Sequence, residues 1–141
     1  MRDLARIGQM LARRGKGLLS SASFAALITP VWRFDGHNGV GENGEPDGFF
    51  CTYALAVQLT ATSAAGCHDD PFGDGTARLG HPGEAYGLRS GLWLDPKTGR
   101  GAAFFTTAVP DDAPKGKSAF TAAEEAVLAR SDQRSPPPRS Q

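Results

Sequence analysis

Cysteine, long apolar runs and net charge are all scarce in this chain, and each scarcity excludes something. Cysteine occurs only at Cys51 and Cys67, and with no second pair they give no structural zinc pattern. Two readings of the pair stay open: a disulfide closing a loop if the protein is exported, or buried thiols if it stays in the cytosol. No apolar run approaches the roughly 20 residues that span a bilayer, and the start of the chain lacks the continuous apolar stretch of a secretory signal. As written, the sequence therefore reads as cytoplasmic, with no membrane span. Fifteen basic residues balance fifteen acidic ones, so no net field draws the chain toward nucleic acid or an anionic surface. The arginines near the start interleave with apolar residues at helical spacing, which is the pattern of a solvated helix face.

What is present suffices for one domain. The chain has 141 residues, 40% of them hydrophobic, enough for a modest core over residues 1–130. Arg2 to Arg14 places Leu4, Ile7, Met10 and Leu11 on one stripe, and Gly15 and Gly17 follow where a helix would stop. Ser21 to Ile28 reads as a second helix, capped by Ser20 or Ser21 and ended by Pro30. Asp35 to Gly48 has loop composition. Phe49 to Thr62 reads as a strand, with a short buried helix over Ala54 to Leu59 as the alternative. After the polar connection Ser63 to Gly75, an extended segment from Ala77 to Leu94 and the apolar run Ala102 to Val109 flank the turn Asp95 to Arg100, a hairpin pattern. Thr121-Ala122-Ala123-Glu124 is a capping box opening a last helix. Ser131 to Gln141, with three consecutive prolines and no apolar anchor, reads as a disordered tail. The expectation is an α+β fold with an antiparallel sheet of about three strands and flanking helices, with Trp32 and Trp93 in its core.

Several constellations invite a functional reading and fail on spacing. His37, His68 and His81 with Asp69 and Asp70 have metal-binding chemistry but no His-x-x-His or Cys-x-x-Cys support. The acidic loop from Asp35 to Asp47 lacks the acceptor spacing of an EF-hand. Ser90 is not in a nucleophile elbow, because Leu88 stands where Gly-x-Ser-x-Gly needs glycine.

Two separated stretches carry more information. The first is Met1-Arg2-Asp3-Leu4-Ala5-Arg6-Ile7-Gly8-Gln9-Met10-Leu11 with Leu19-Ser20 and Leu27-Ile28-Thr29-Pro30-Val31-Trp32-Arg33. The second is Gly80-His81-Pro82-Gly83-Glu84-Ala85-Tyr86-Gly87, continuing through Ser90-Gly91-Leu92-Trp93-Leu94-Asp95-Pro96. In this order they resemble the C-terminal portion of a penicillin-binding-protein-like serine hydrolase, related to class C β-lactamases and DD-peptidases. The resemblance spans about residues 1–109 and implies part of a β-lactamase-like fold. It implies acyl transfer or hydrolysis on a small amide or ester substrate, through a serine ester and without metal or other cofactor. By the same resemblance, His81 fills the lysine position of the third active-site motif, Gly83 is where a side chain would crowd the substrate, and the main-chain N–H of Glu84 lies on the oxyanion side. Lys97-Thr98-Gly99 spells the lysine form of that motif, but Asp95-Pro96 before it marks a hairpin turn.

The other two motifs of the family are missing. None of the four lysines, Lys16, Lys97, Lys115 and Lys117, follows a serine by three positions, and neither Asn38 nor Asn43 follows Tyr or Ser by two. The expected product is a fragment, inactive alone, of a parent that is periplasmic or envelope-associated in such families. A non-catalytic ligand- or partner-binding module and a complementing piece of a split hydrolase are the alternatives. A sheet deprived of neighbouring strands is expected to self-associate through its exposed edge.

Overall fold

The computed structural model describes residues 2–38 and 48–133. Helix α1 (Arg2–Ala12) and helix α2 (Ser21–Ile28) precede a run of six strands: β1 (Trp32–Arg33), β2 (Thr52–Tyr53), β3 (Gln58–Leu59), β4 (Leu79–Ala85), β5 (Leu88–Leu94) and β6 (Gly101–Thr106). Helix α3 (Ala122–Gln133) follows. Every strand pairs antiparallel with its neighbour in sequence, in the order β1-β2-β3-β4-β5-β6. The α+β class holds, and among the described residues the sheet has six strands where about three were expected.

The extra strands come from tight turns inside segments that read as continuous. The stretch from Ala77 to Leu94 is two strands, because Tyr86 (φ 49°) and Gly87 (φ 77°) form a two-residue reversal between paired Ala85 and Leu88. Positive φ at both central residues is the geometry whose twist matches antiparallel strands. The run from Phe49 to Thr62 breaks likewise into β2 and β3. Ala54 donates its N–H to the Val57 carbonyl at 2.8 Å across Leu55 and Ala56, with Ala56 at φ 59°. An alanine in the left-handed region costs energy, so nothing in the residue types announces this turn.

The helix boundaries follow from capping. Helix α1 stops short of Arg14: the N–H of Arg14 bonds the Leu11 carbonyl and that of Gly15 the Met10 carbonyl, both at 2.9 Å, with Arg14 itself at φ 55°. This is the paired reversal that usually places glycine at the left-handed position. Ser20 caps α2, its hydroxyl accepting from the Ser23 N–H at 3.0 Å. The capping box of α3 forms as expected: the Thr121 N–H and hydroxyl donate to the Glu124 carboxylate at 2.9 and 2.8 Å, and the Glu124 N–H returns a bond to the Thr121 oxygen at 3.3 Å. Ser131 to Gln133 continue this helix where the tail and the domain limit at residue 130 were expected. The remainder of the tail, and most of the loop from Asp35 to Gly48, lie outside the described residues.

Alternation along β5 sends its side chains to two cores. Leu94 packs with Leu79, Leu11, Phe24, Ala54 and Val57, with Leu92 against them. Trp93 packs with Phe104, Phe120 and Leu128. The sheet is thus covered by α1 and α2 on one side and by α3 on the other. Fully burying Leu128 or Phe120 stabilises by about 2 kcal/mol each. Two expectations need correction: Ile7, assigned to the buried stripe of α1, is 49% exposed, and Trp32 is only half-buried at the short strand β1. Gly8 makes the contact instead, lying so close to β5 that a Cβ there would stand 2.9 Å from Leu92 Cδ1.

Cys51 and Cys67 form a disulfide with Cα atoms 6.0 Å apart, which closes the open choice between bonded and free thiols. Beside it the Gly48 carbonyl accepts from the His68 N–H at 2.9 Å. Asp69 is buried and accepts from the Thr62 N–H and hydroxyl at 2.9 and 2.8 Å, while Thr62 meets Thr52 of β2 at 3.0 Å. Burial pushes the Asp69 carboxyl above its usual pKa despite those donors. Asp70 organises the next turn, accepting from the N–H groups of Phe72, Gly73 and Gly75. Replacing both cysteines by alanine is expected to lower stability by about 3 kcal/mol, the chain-entropy value for a loop of this length. Urea denaturation of the oxidised protein and the double variant checks it, and coincident midpoints would show that the disulfide does not stabilise the fold.

Candidate functional site

Strand β3 reaches β4 only at Leu79 and Gly80. From His81 to Ala85, β4 pairs with β5 alone, so among the described residues this stretch has one side unpaired by strands. Pro82 suits such a position because it offers no N–H to a further ladder. Gly80 sets the transition: a Cβ there would stand 1.8 Å from the Leu92 carbonyl oxygen, so no other residue fits without moving β5.

The three residues singled out from sequence are neighbours along this stretch, but they do different things. His81 is exposed. Its Nδ1 meets the carbonyl oxygen of Pro82, and its Nε2 lies 2.7 Å from the Tyr53 hydroxyl. A carbonyl oxygen only accepts, so Nδ1 carries the proton, and in the neutral ring Nε2 is left as the acceptor for the Tyr53 O–H. Phe50 completes a triangle of rings, its centroid 5.8 Å from Tyr53 and 6.2 Å from His81.

Gly83 sits opposite Ser90 in the β4–β5 ladder, and a Cβ on it would stand 2.4 Å from Ser90 Oγ. The Ser90 hydroxyl donates to the Gly83 carbonyl at 3.4 Å. A packing reason for glycine therefore exists beside the expected one of substrate crowding. The Glu84 side chain, to which the sequence assigns no role, pairs with Arg89 directly across the ladder, and Arg89 is almost wholly buried.

Lys97-Thr98-Gly99 lies in the β5–β6 turn. The Asp95 carboxylate accepts from the Lys97 N–H and the Thr98 hydroxyl at 2.8 Å each, and Gly99 takes φ 71°. Tyr53 and Phe50 are not identifiable from sequence, because 28 positions separate Tyr53 from His81 and the turns that fold β2 back toward β4 leave little mark in residue type.

No family model, no curated protein and no solved structure matches this chain.

The steric account of Gly83 is testable by itself. Gly83→Ala is expected to lower the melting temperature by several degrees, on the order of 1–3 kcal/mol for an overpacked site, and Ser90→Ala in the same chain is expected to restore most of the loss. Failure of the second change to rescue the first would mean that Ser90 is not what excludes a side chain at residue 83.

Proposed function

We propose that this chain is the C-terminal part of a penicillin-binding-protein-like serine hydrolase, with β4 forming one wall of an acyl-transfer cleft and a separate segment supplying Ser-x-x-Lys. The observation that carries the reading is the placement of His81-Pro82-Gly83 on the one-sided stretch of β4, with the His81 ring exposed and hydrogen-bonded at both nitrogens. Lys97-Thr98-Gly99, closed into a turn by Asp95, is no competitor for that role. In this reading His81 faces a small amide or ester, Gly83 leaves room for it, and the main-chain N–H of Glu84 supports the developing oxyanion. The serine attacks the acyl carbon, the leaving group departs with a proton, and water releases the acyl-enzyme. The disulfide favours an oxidising compartment such as the periplasm or envelope over the cytosol.

The test is the mass of the native polypeptide from its source cells, with a fluorophosphonate probe applied to it. A longer product carrying Ser-x-x-Lys and labelled at that serine is expected. A product of this length that takes no serine label, in cells with no labelled partner chain, would sink the reading.

A second reading, a non-catalytic module that associates through its sheet, is favoured by the outer edge of β6. Among the described residues β6 pairs only with β5. Its sequence Gly-Ala-Ala-Phe-Phe-Thr carries none of the charges or prolines that blunt exposed edges. Phe105 is 54% exposed there. With no net charge to oppose it, a second copy would add its own β6 antiparallel. Sedimentation is expected to show a dimer that Phe105→Lys converts to monomer, and a wild-type monomer across the micromolar range would refute edge pairing.

A further inference from the structure

We propose that Tyr53 is an acyl acceptor in its own right, activated by His81, so that this chain takes an acyl group from activated esters without any serine. The geometry has the three parts of an activated nucleophile: a hydroxyl, a base within hydrogen-bond reach, and a third group orienting the base. Tyr53 Oη lies 2.7 Å from His81 Nε2, and the Pro82 carbonyl holds Nδ1 as the protonated nitrogen, leaving the lone pair of Nε2 directed at the phenol. Tyr53 is half-buried and His81 exposed, so the pair is neither sealed in the core nor free to rotate in solvent. Phe50, with its ring edge-on to Tyr53, limits the swing of the phenol.

The step balances without a co-reactant. Tyr53 Oη attacks the ester carbonyl carbon as its proton passes to His81 Nε2. The tetrahedral adduct collapses with cleavage of the bond between the acyl carbon and the leaving-group oxygen, and that oxygen takes the proton from Nε2. The products are O-acyl-Tyr53 and the free phenol of the leaving group. Water then attacks the tyrosyl ester slowly, with His81 again accepting the proton, and releases the carboxylic acid. The chemistry also selects the substrate class: a phenol ester is itself activated, so net transfer to Tyr53 requires a leaving group about as good as a phenol. Aryl esters qualify, whereas amides and simple alkyl esters do not. This inference stands apart from the serine hydrolase reading, because the nucleophile and its base both lie in this chain.

The experiment uses the purified 141-residue chain with p-nitrophenyl acetate at neutral pH, following nitrophenol release and mapping the acetyl group by peptide mass spectrometry. A burst of about one equivalent with the acetyl group on Tyr53 is expected. Tyr53→Phe, which keeps the ring beside Phe50 and His81, is expected to abolish the burst. His81→Gln is expected to slow it by about 100-fold, the usual loss on removing a general base. Melting curves verify that both variants are folded, and the mapping on the wild-type chain decides the matter even if one is not. Acetyl groups confined to lysines or the N-terminus, or a burst unchanged in either folded variant, would overturn the proposal. The serine probe on the longer native product reads a different residue, so the two proposals fail separately.

Discussion

The register of the β4–β5 ladder is the constraint on which the rest of the structure depends. A slip of one residue would exchange every side chain on β5 between the two faces of the sheet. Trp93 and Leu94, neighbours in sequence and both buried, belong to different cores, so a slip would put an indole against α1 and leave α3 without its main contact. The two-residue turn at Tyr86 and Gly87 sets that register locally. The pairing of Glu84 with nearly buried Arg89 reinforces it, because a slip would strand a cation away from its carboxylate.

The same register explains why glycine recurs on β4. Gly80 lies against the Leu92 carbonyl and Gly83 against the Ser90 hydroxyl, so β4 approaches β5 closely just where its other neighbour β3 ends. Among the described residues, the stretch around His81 is consequently paired with a strand on one side only. The His81 ring is bonded instead by the Tyr53 side chain, reaching across from β2. The position of Tyr53 rests on the segment behind it: the disulfide at Cys51, and the Thr52, Thr62 and Asp69 bonds that tie β2 to the loop after β3. The hydroxyl–imidazole pair is therefore the meeting point of two separately stabilised parts of the chain.

Features governed by neighbours along the chain are legible in the sequence. The α3 capping box, the Ser20 cap and the Asp95 turn each involve donors and acceptors within about four residues, and residue type alone announces them. The boundaries that sequence misplaces have a common cause. Arg14, Ala56 and Tyr86 all occupy the left-handed region without being glycine, so turns that tertiary packing enforces carry a weak signal in residue type or none. Hydrophobicity places Ile7 and Trp32 inward, but α1 docks through Gly8 and β1 is only two residues long at the end of the sheet.

The sequence by itself determined the α+β class, the helix caps and the turn at Lys97-Thr98-Gly99. These depend on local hydrogen bonding and on short periodicities and motifs that residue types carry with them. Tertiary structure alone decided that Cys51 and Cys67 are joined, that six strands form the sheet, and that Tyr53 and Phe50 stand beside His81. Those outcomes depend on which distant segments share a neighbour in space, and that follows from burying Leu94 and Trp93 on opposite faces of one sheet rather than from any residue's own preference.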